Sequence, residues 1–326
     1  MQERAEPPGR NVMGEAWMQR SVVDREAQPV VTGPVTAEAA RTPVTAASLA
    51  GRKGFDELFL GRGELRVPLP TVGAATAKKL VTVSPRQRGT RKYLLHYTHF
   101  SVATHAERRV ALFTAVNIDG SLMRLFKRHR DVWSFDPRLD EKFQTGEELY
   151  EDNDLDRGHL VRRLDPAWGD VASAKAGEED SFFFTNCSAQ HSSFNQRTWL
   201  SLEDYLLRNA DTLDFRASVF TGPVLTDSDP EHRGFRLPQA FWKVAVMRRT
   251  EDGALSATGY TVSQSDLLTD LEFAFGQFKT HQVPVAQIES LTGLGFGALK
   301  DADPLGSIES VDAASRELRA ADDITI

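Results

Sequence analysis

The chain is poor in cysteine. Cys187 is the one thiol in 326 residues, so an intrachain disulfide and a thiolate-built structural zinc site are both excluded. A lone cysteine fits a reducing compartment. Long apolar runs are missing too: no stretch holds the roughly 18 consecutive apolar residues that a membrane span needs. The first thirty residues carry Glu3, Glu6, Glu15, Asp24 and Glu26, unlike a secretory signal or an acid-poor transit peptide. The expectation is a cytoplasmic protein with no membrane partner. Two catalytic signatures are absent as well. There is no Gly-x-x-x-x-Gly-Lys loop and no Gly-x-Ser-x-Gly elbow, so ATPase and α/β-hydrolase readings have no support. Gly293-Leu-Gly295-Phe-Gly297 lacks the preceding strand and following helix of a dinucleotide loop.

What is present is ordinary globular composition, 40% hydrophobic and 26% charged. The net charge of -7 is unevenly spread. Residues 251–326 carry 4 Lys+Arg against 13 Asp+Glu, whereas residues 85–250 balance at 24 of each. Basic runs stand out locally: Arg124-Leu-Phe-Lys127-Arg128-His129-Arg130, Arg162-Arg163 and Arg248-Arg249. Local patches, rather than total charge, govern contact with phosphates.

The pattern divides the chain in three. Residues 1–85 read as a partly disordered N-terminal segment: residues 1–50 are loosely structured, with breakers at Pro7-Pro8-Gly9 and one short helix over Met13–Arg25, and Val67-Pro-Leu-Pro70 is an extended linker. Residues 86–306 form the main domain. Residues 307–326 read as an acidic, disordered tail. Within the domain, strands are expected at Tyr93–Thr98, Val110–Asn117, Phe182–Thr185, Ala217–Thr221 and Phe241–Met247. Ile118-Asp-Gly-Ser121 reads as a hairpin turn. Helices are expected at Thr198–Leu207, Gln264–Phe275 and Val285–Thr292. Strands and helices mix without βαβ alternation, so the fold class is α+β.

The chemistry concentrates in Asp156-Arg157-Gly158-His159, read with Asn195 and Glu203. Cutting a phosphodiester needs a base to make hydroxide, a cation on the non-bridging oxygens and charge relief for the leaving oxygen. Histidine suits the base role, since its reference pKa of ~6.5 leaves it largely neutral at working pH. His159 is assigned that role. Gly158 is read as letting the phosphate backbone come close. A hard cation such as Mg²⁺ takes one or two protein oxygens and keeps its waters. Asn195 supplies an amide oxygen, and Glu203, eight residues on, falls on roughly the same side of a helix.

These residues resemble the DNA/RNA non-specific endonucleases with a ββα-metal site, the family of the Serratia-type nuclease and mitochondrial endonuclease G. The matching text is Asp156-Arg-Gly-His-Leu160, Thr185-Asn-Cys-Ser-Ala-Gln190 and Phe194-Asn-Gln-Arg-Thr-Trp-Leu-Ser-Leu-Glu-Asp204. Thr221-Gly-Pro223, Pro238-Gln-Ala-Phe-Trp-Lys243 and Ile288-Glu-Ser-Leu-Thr-Gly293 also look like family landmarks. The resemblance implies a ββα-metal (His-Me finger) fold, with a mixed or antiparallel central sheet flanked by helices. It implies His159 as general base, Asn195 as direct metal ligand and Glu203 as water-mediated metal partner. Arg157 would contact phosphate, and Arg130 looks like the upstream catalytic arginine, with one residue of extra spacing. Arg128, Arg162 and Arg163 complete the expected substrate contacts. The implied cofactor is Mg²⁺, with Mn²⁺ or another divalent cation as substitutes. The implied partners are DNA and RNA and a second copy in a homodimer. A free cytoplasmic nuclease would threaten its own genome, so an inhibitor or regulator acting through residues 1–85 is also expected. The sequence departs from the family at Ala189, at Val161-Arg162-Arg163 and at Leu207, which bears on substrate preference.

Blander readings apply to the neighbours. Asp156 orients Arg157, Asn186 makes a structural hydrogen bond, and Cys187 is a packed small residue. His96, His99 and His105 are structural or exposed, since their spacing does not put all three on one strand face. The expected activity is divalent-metal-dependent cleavage of DNA and RNA with little sequence preference. The rival is a nucleic-acid-binding module that has lost turnover.

Overall fold

Runs of β-branched and aromatic residues with no polar alternation dictate strands buried on both faces. Val110-Ala-Leu-Phe-Thr-Ala-Val-Asn-Ile-Asp119 is such a run, and all ten of its residues are buried. The structure, a computed structural model, describes residues 44–84, 91–127, 131–191, 216–264, 280–306 and 316–318. Its strands are β1 (Thr71–Val72), β2 (Leu94–His96), β3 (Phe100–His105), β4 (Val110–Asp119), β5 (Leu155–His159), β6 (Cys187–His191) and β7 (Arg216–Val224). They continue as β8 (Glu231–His232), β9 (Phe235–Arg236), β10 (Ala240–Arg248), β11 (Leu255–Ser263), β12 (Thr280–Val283), β13 (Leu294–Gly295) and β14 (Arg316–Leu318). Eight form one sheet in the order β14-β12-β11-β10-β7-β4-β3-β2, antiparallel throughout. The described helices are α1 (Ala74–Ala77), α2 (Val171–Asp180) and α3 (Val285–Thr292). The architecture is α+β, as expected. Residues 316–318, assigned by composition to a tail, supply an edge strand.

Side-chain alternation along the central strands sends consecutive residues into two different cores. Ala111, Val116, Val219, Phe241 and Ala245 face one layer, which also holds Leu139, Leu160, Val161 and Phe183. Leu112, Ala115, Phe220, Trp242 and Val244 face the other, which holds Val283, Val285, Ile288, Leu294 and Phe296. The first layer carries the segments around His159. The second is closed by α3 and by the N-terminal segment.

That segment is built into the fold. Phe55, Leu60, Val67, Leu69 and Leu80 are buried in the second layer, and Leu49, Val81 and Val83 in the first. Gly54 N donates to Tyr97 O at 2.9 Å, Phe55 N to Ser101 Oγ at 2.9 Å and Asp56 N to Asn117 Oδ1 at 2.7 Å. Arg52 reaches the buried carboxylate of Asp180, which Thr98 also engages. β1 pairs with β13, tying this segment to the far end of the domain. Residues 1–43, with the expected Met13–Arg25 helix, lie outside the described residues. So do Thr198–Leu207 and the body of the helix expected at Gln264–Phe275.

Two local expectations are overturned. Ile118–Ser121 is not a hairpin turn. β4 runs on through Asp119, which pairs with Arg216 of β7, and a 3-10 turn over Gly120–Leu122 then leaves the sheet. Turn-forming residues lost to the strand partner already in place. Phe182–Thr185 is not a regular strand either. Phe183 bridges Ser134, but Phe184–Asn186 form a 3-10 turn, because the Asn186 side chain turns inward to bond backbone. β6 starts one residue later.

The three histidines are structural, as read. His96 is buried and hydrogen-bonded to Ser101 Oγ at 2.9 Å. His99 donates to Pro166 O at 2.9 Å and stacks on Trp168. Arg108 N donates to the ring of His105 at 3.3 Å. Burial lowers the pKa of all three, and that of His96 to about 4, with the Arg138 guanidinium adding to the effect.

Two outcomes follow. The folded-state pKa of His96 lies below its ordinary 6.5, so its contribution to stability is present above pH 6.5 and is lost as pH falls through about 4. Denaturant melts across that window should show falling stability, and His96→Gln should flatten the slope; an unchanged slope rules His96 out as the sensor. A chain starting at residue 86 loses eight buried apolar side chains of the N-terminal segment, on the order of 10 kcal/mol or more at ~1.5–3 kcal/mol each. That rivals the whole net stability of a domain, so this chain should not fold, whereas one starting at Val44 should. Circular dichroism and melting of the two chains decide it.

Candidate active site

β5 and β6 form a separate antiparallel hairpin with His159 opposite Cys187, Gly158 opposite Ser188, Arg157 opposite Ala189 and Asp156 opposite Gln190. Cross-strand partners share a face and neighbours along a strand do not. His159 and Arg157 therefore project together, and Asp156 and Gly158 project the other way. The spacing of two that brings His159 and Arg157 side by side is a strand spacing.

The His159–Arg157 face packs on a small core of Leu149, Tyr150, Leu155, Phe184, Cys187 and Ala189, with Trp133 against it. Tyr150 Oη meets Cys187 Sγ at 3.1 Å, and burial pushes the Cys187 thiol up to about 12. A thiol so held is not a nucleophile, in line with its reading as a packed residue. His159 is half-buried, with the rings of Trp133 and Phe182 beside it.

The loop beyond His159 is clamped. Asn186 Oδ1 accepts from Val161 N at 2.9 Å, and its Nδ2 donates to Val161 O and Ser181 O at 2.8 and 2.9 Å. The structural reading of Asn186 holds. Asp165 accepts from Arg162 N at 3.0 Å. Burial raises its pKa, and the positive charges of Arg162 and Lys243 oppose that rise. Lys243 is itself buried in β10 and donates to Thr221 Oγ1 at 3.1 Å. A charged residue embedded in Phe241-Trp242-Lys243-Val244 is the sequence signal for this buried support.

The segment that carries Trp133 is anchored by a second buried network. Asp136 pairs with Arg138 at 2.7 Å and accepts from Tyr97 Oη; Tyr97 Oη also meets Thr185 Oγ1 at 2.6 Å. Gln144 bonds both backbone groups of Asp136. Burial and the Asp136 charge together raise the Tyr97 pKa, so the phenol stays protonated and donates.

The expected phosphate contacts are held by acids. Arg157 ion-pairs with Glu147 and lies over the Tyr150 ring at 5.1 Å; Arg163 ion-pairs with Glu178 of α2. Glu147, ten residues upstream, is a carboxylate that engages Arg157. Arg162 is half-buried. Gly158 also has a different reason from the one expected. A Cβ there would lie 2.1 Å from Gln190 Oε1 and 2.2 Å from its Cδ, so the buried Gln190 amide fills that space, on the face away from His159.

Arg128, Arg130, Asn195 and Glu203 lie outside the described residues. The structure thus brings together His159 and Arg157, with Arg162 and Arg163 on the loop that follows. Among the described residues no group of three or more His, Cys, Asp or Glu could hold a metal. The expected donor set, an amide oxygen and a carboxylate, has the hard-oxygen chemistry of a Mg²⁺ site. No helix among the described residues is long and apolar enough to cross a membrane.

The chain matches the DNA/RNA non-specific endonuclease family over residues 78–303, more than half its length. It is 41% identical over 325 residues to an uncharacterized protein, y4fB, of Sinorhizobium fredii, an alignment covering 91% of this chain and 47% of the relative. The chain therefore spans about half the length of that relative. A crystal structure described as the EndoG/EndoGI complex resembles it with a TM-score of 0.49 and 19% identity, covering 65% of this chain and 87% of that one. That last likeness is too low to carry an argument.

Gly158→Ala should cost about 1–3 kcal/mol through overpacking. Gln190→Ala should be nearly neutral, since neither amide atom has a hydrogen-bond partner among the described residues. The double variant should recover most of the loss. Denaturant unfolding of the three proteins reads this out, and a fully stable Gly158→Ala protein refutes the packing account.

Proposed function

We propose that this chain, a member of the DNA/RNA non-specific endonuclease family, hydrolyses phosphodiester bonds in DNA and RNA with His159 as general base and a divalent cation as cofactor. The observation that carries the reading is the β5–β6 hairpin, which projects His159 and Arg157 from one face in a chain of this family. The imidazole takes a proton from the attacking water. Arg157 contacts the phosphate, and its Nε, buried and without a hydrogen-bond partner among the described residues, is a donor such an anion satisfies. Arg130 acts beside it, and Arg128, Arg162 and Arg163 track the strand. Recognition through phosphates carries no base information, which makes cleavage largely sequence-independent. Asn195 would hold the metal directly and Glu203 through water. Mg²⁺ fits this oxygen pair, and bound there it would neutralise developing charge on the phosphate.

Arg157 and Arg163 already hold carboxylate partners. Phosphate must therefore exchange with Glu147 and Glu178 rather than enter an empty cationic groove. Binding governed by such exchange is strongly salt-dependent.

A free nuclease threatens its own genome, and we assign residues 1–85 a regulatory or recruiting role. Residues 44–84 close the sheet, so that role narrows to residues 1–43. Plasmid and RNA digestion with Mg²⁺, with EDTA and with His159→Ala tests the activity. EDTA should abolish it, and His159→Ala should cost about a hundredfold or more. Activity surviving the alanine removes His159 as base; no activity under any condition leaves a binding module. Running the same assay on a chain starting at Val44 tests restraint, which equal activity and equal toxicity on expression would rule out.

A further inference from the structure

His159 lies between two aromatic rings, and neither belongs to β5 or β6. The Trp133 ring sits 4.5 Å away, centroid to centroid, inclined at 48°. The Phe182 ring sits 4.9 Å away, at 83°. The two also meet each other at 5.4 Å, closing a triangle, and Trp133 stacks on Phe184 at 5.9 Å. Backbone bonds fix the arrangement. Ser134 N donates to Phe182 O at 3.1 Å and Phe184 N to Ser134 O at 3.0 Å, so Trp133 is stitched beside the Phe182–Phe184 segment.

An imidazole on a strand has two torsions. The strand restricts the first, but the second is broad and decides which way each ring nitrogen faces. A base must present one chosen nitrogen to its proton. Rings packed on two sides restrict the second torsion, because rotation would drive the imidazole into one of them.

We propose that Trp133 is a positioning residue: with Phe182 it holds the plane of the His159 imidazole so that a fixed nitrogen faces the reacting water. This rests on His159 being the general base. Trp133 is half-buried beside the exposed Asp131 and Val132, so the competing role is a platform on which a nucleobase stacks.

The test takes the full chain with Trp133→Phe and Trp133→Ala, each with His159 and with His159→Ala, in steady-state cleavage of an oligonucleotide with Mg²⁺. The ring protons of His159 are followed by NMR in the same proteins without metal or substrate. Trp133→Ala should lower kcat about tenfold to a hundredfold with KM within about threefold. Trp133→Phe should restore most of kcat. The effect should vanish in the His159→Ala background, and the His159 ring signals should move toward free-histidine positions in Trp133→Ala alone. A raised KM with unchanged kcat, an equal loss without His159, or unmoved ring signals would each overturn the proposal. Activity that survives His159→Ala overturns the base assignment instead, while the ring signals still report whether Trp133 holds the imidazole.

Discussion

Apolar side chains on both faces of one antiparallel sheet set the constraint on which this molecule depends. A sheet so built needs two covers. One cover is α3 with the N-terminal segment, and the other is the set of segments that surround His159. Each strand side chain commits to one layer or the other, and β4 and β10 do so almost without interruption. The layer around His159 is thus also a structural cover, and its loops are held by the need to exclude water from Val116, Val219 and Phe241.

The same logic explains the polar residues inside. Asn186, Asp165, Asp136 and Lys243 are buried, and a buried polar group is costly unless it is bonded. The side chains of Asn186, Asp136 and Asp165 each bond backbone, at Val161, Arg138 and Arg162, so satisfying them also sets those segments in place. Lys243 extends this from the sheet, with its charge acting on Asp165. A side chain whose neighbours are already fixed needs little reorganisation when a ligand binds.

The sequence was most legible where one local rule governs. Val110–Asn117, Ala217–Thr221, Phe241–Met247 and Val285–Thr292 all fall in elements of the expected type. His159 and Arg157 were legible through a motif, and the hairpin puts them on one face. Legibility failed where distant partners decide. Val67-Pro-Leu-Pro70 reads locally as a linker, yet Val67 and Leu69 are core, because they complete an apolar layer whose members extend as far along the chain as Leu299. Gly158 reads as space for a ligand, yet the space belongs to Gln190, whose approach depends on strand register. Glu147 and Glu178 could not be foreseen as partners of Arg157 and Arg163, because surface charges pair by tertiary proximity.

The pairing of β1 with β13 has a consequence for synthesis. Thr71 Oγ1 donates to Gly295 O across 224 residues of chain. The entropy of closing so long a loop grows only logarithmically, so the clasp costs little more than a shorter one once both ends exist. A ribosome adding roughly 5–20 residues per second delivers the second end about 10 to 45 seconds after the first. Phe55 meets Phe220, and it too must wait for its partner. The N-terminal cover meets Tyr97, Ser101 and Asn117 early, but its clasp at Gly295 and its contact with Phe220 come late, so the nascent chain passes through a state with that cover only partly seated. In that waiting state the apolar side chains of the second layer are exposed, the condition under which partly made chains aggregate.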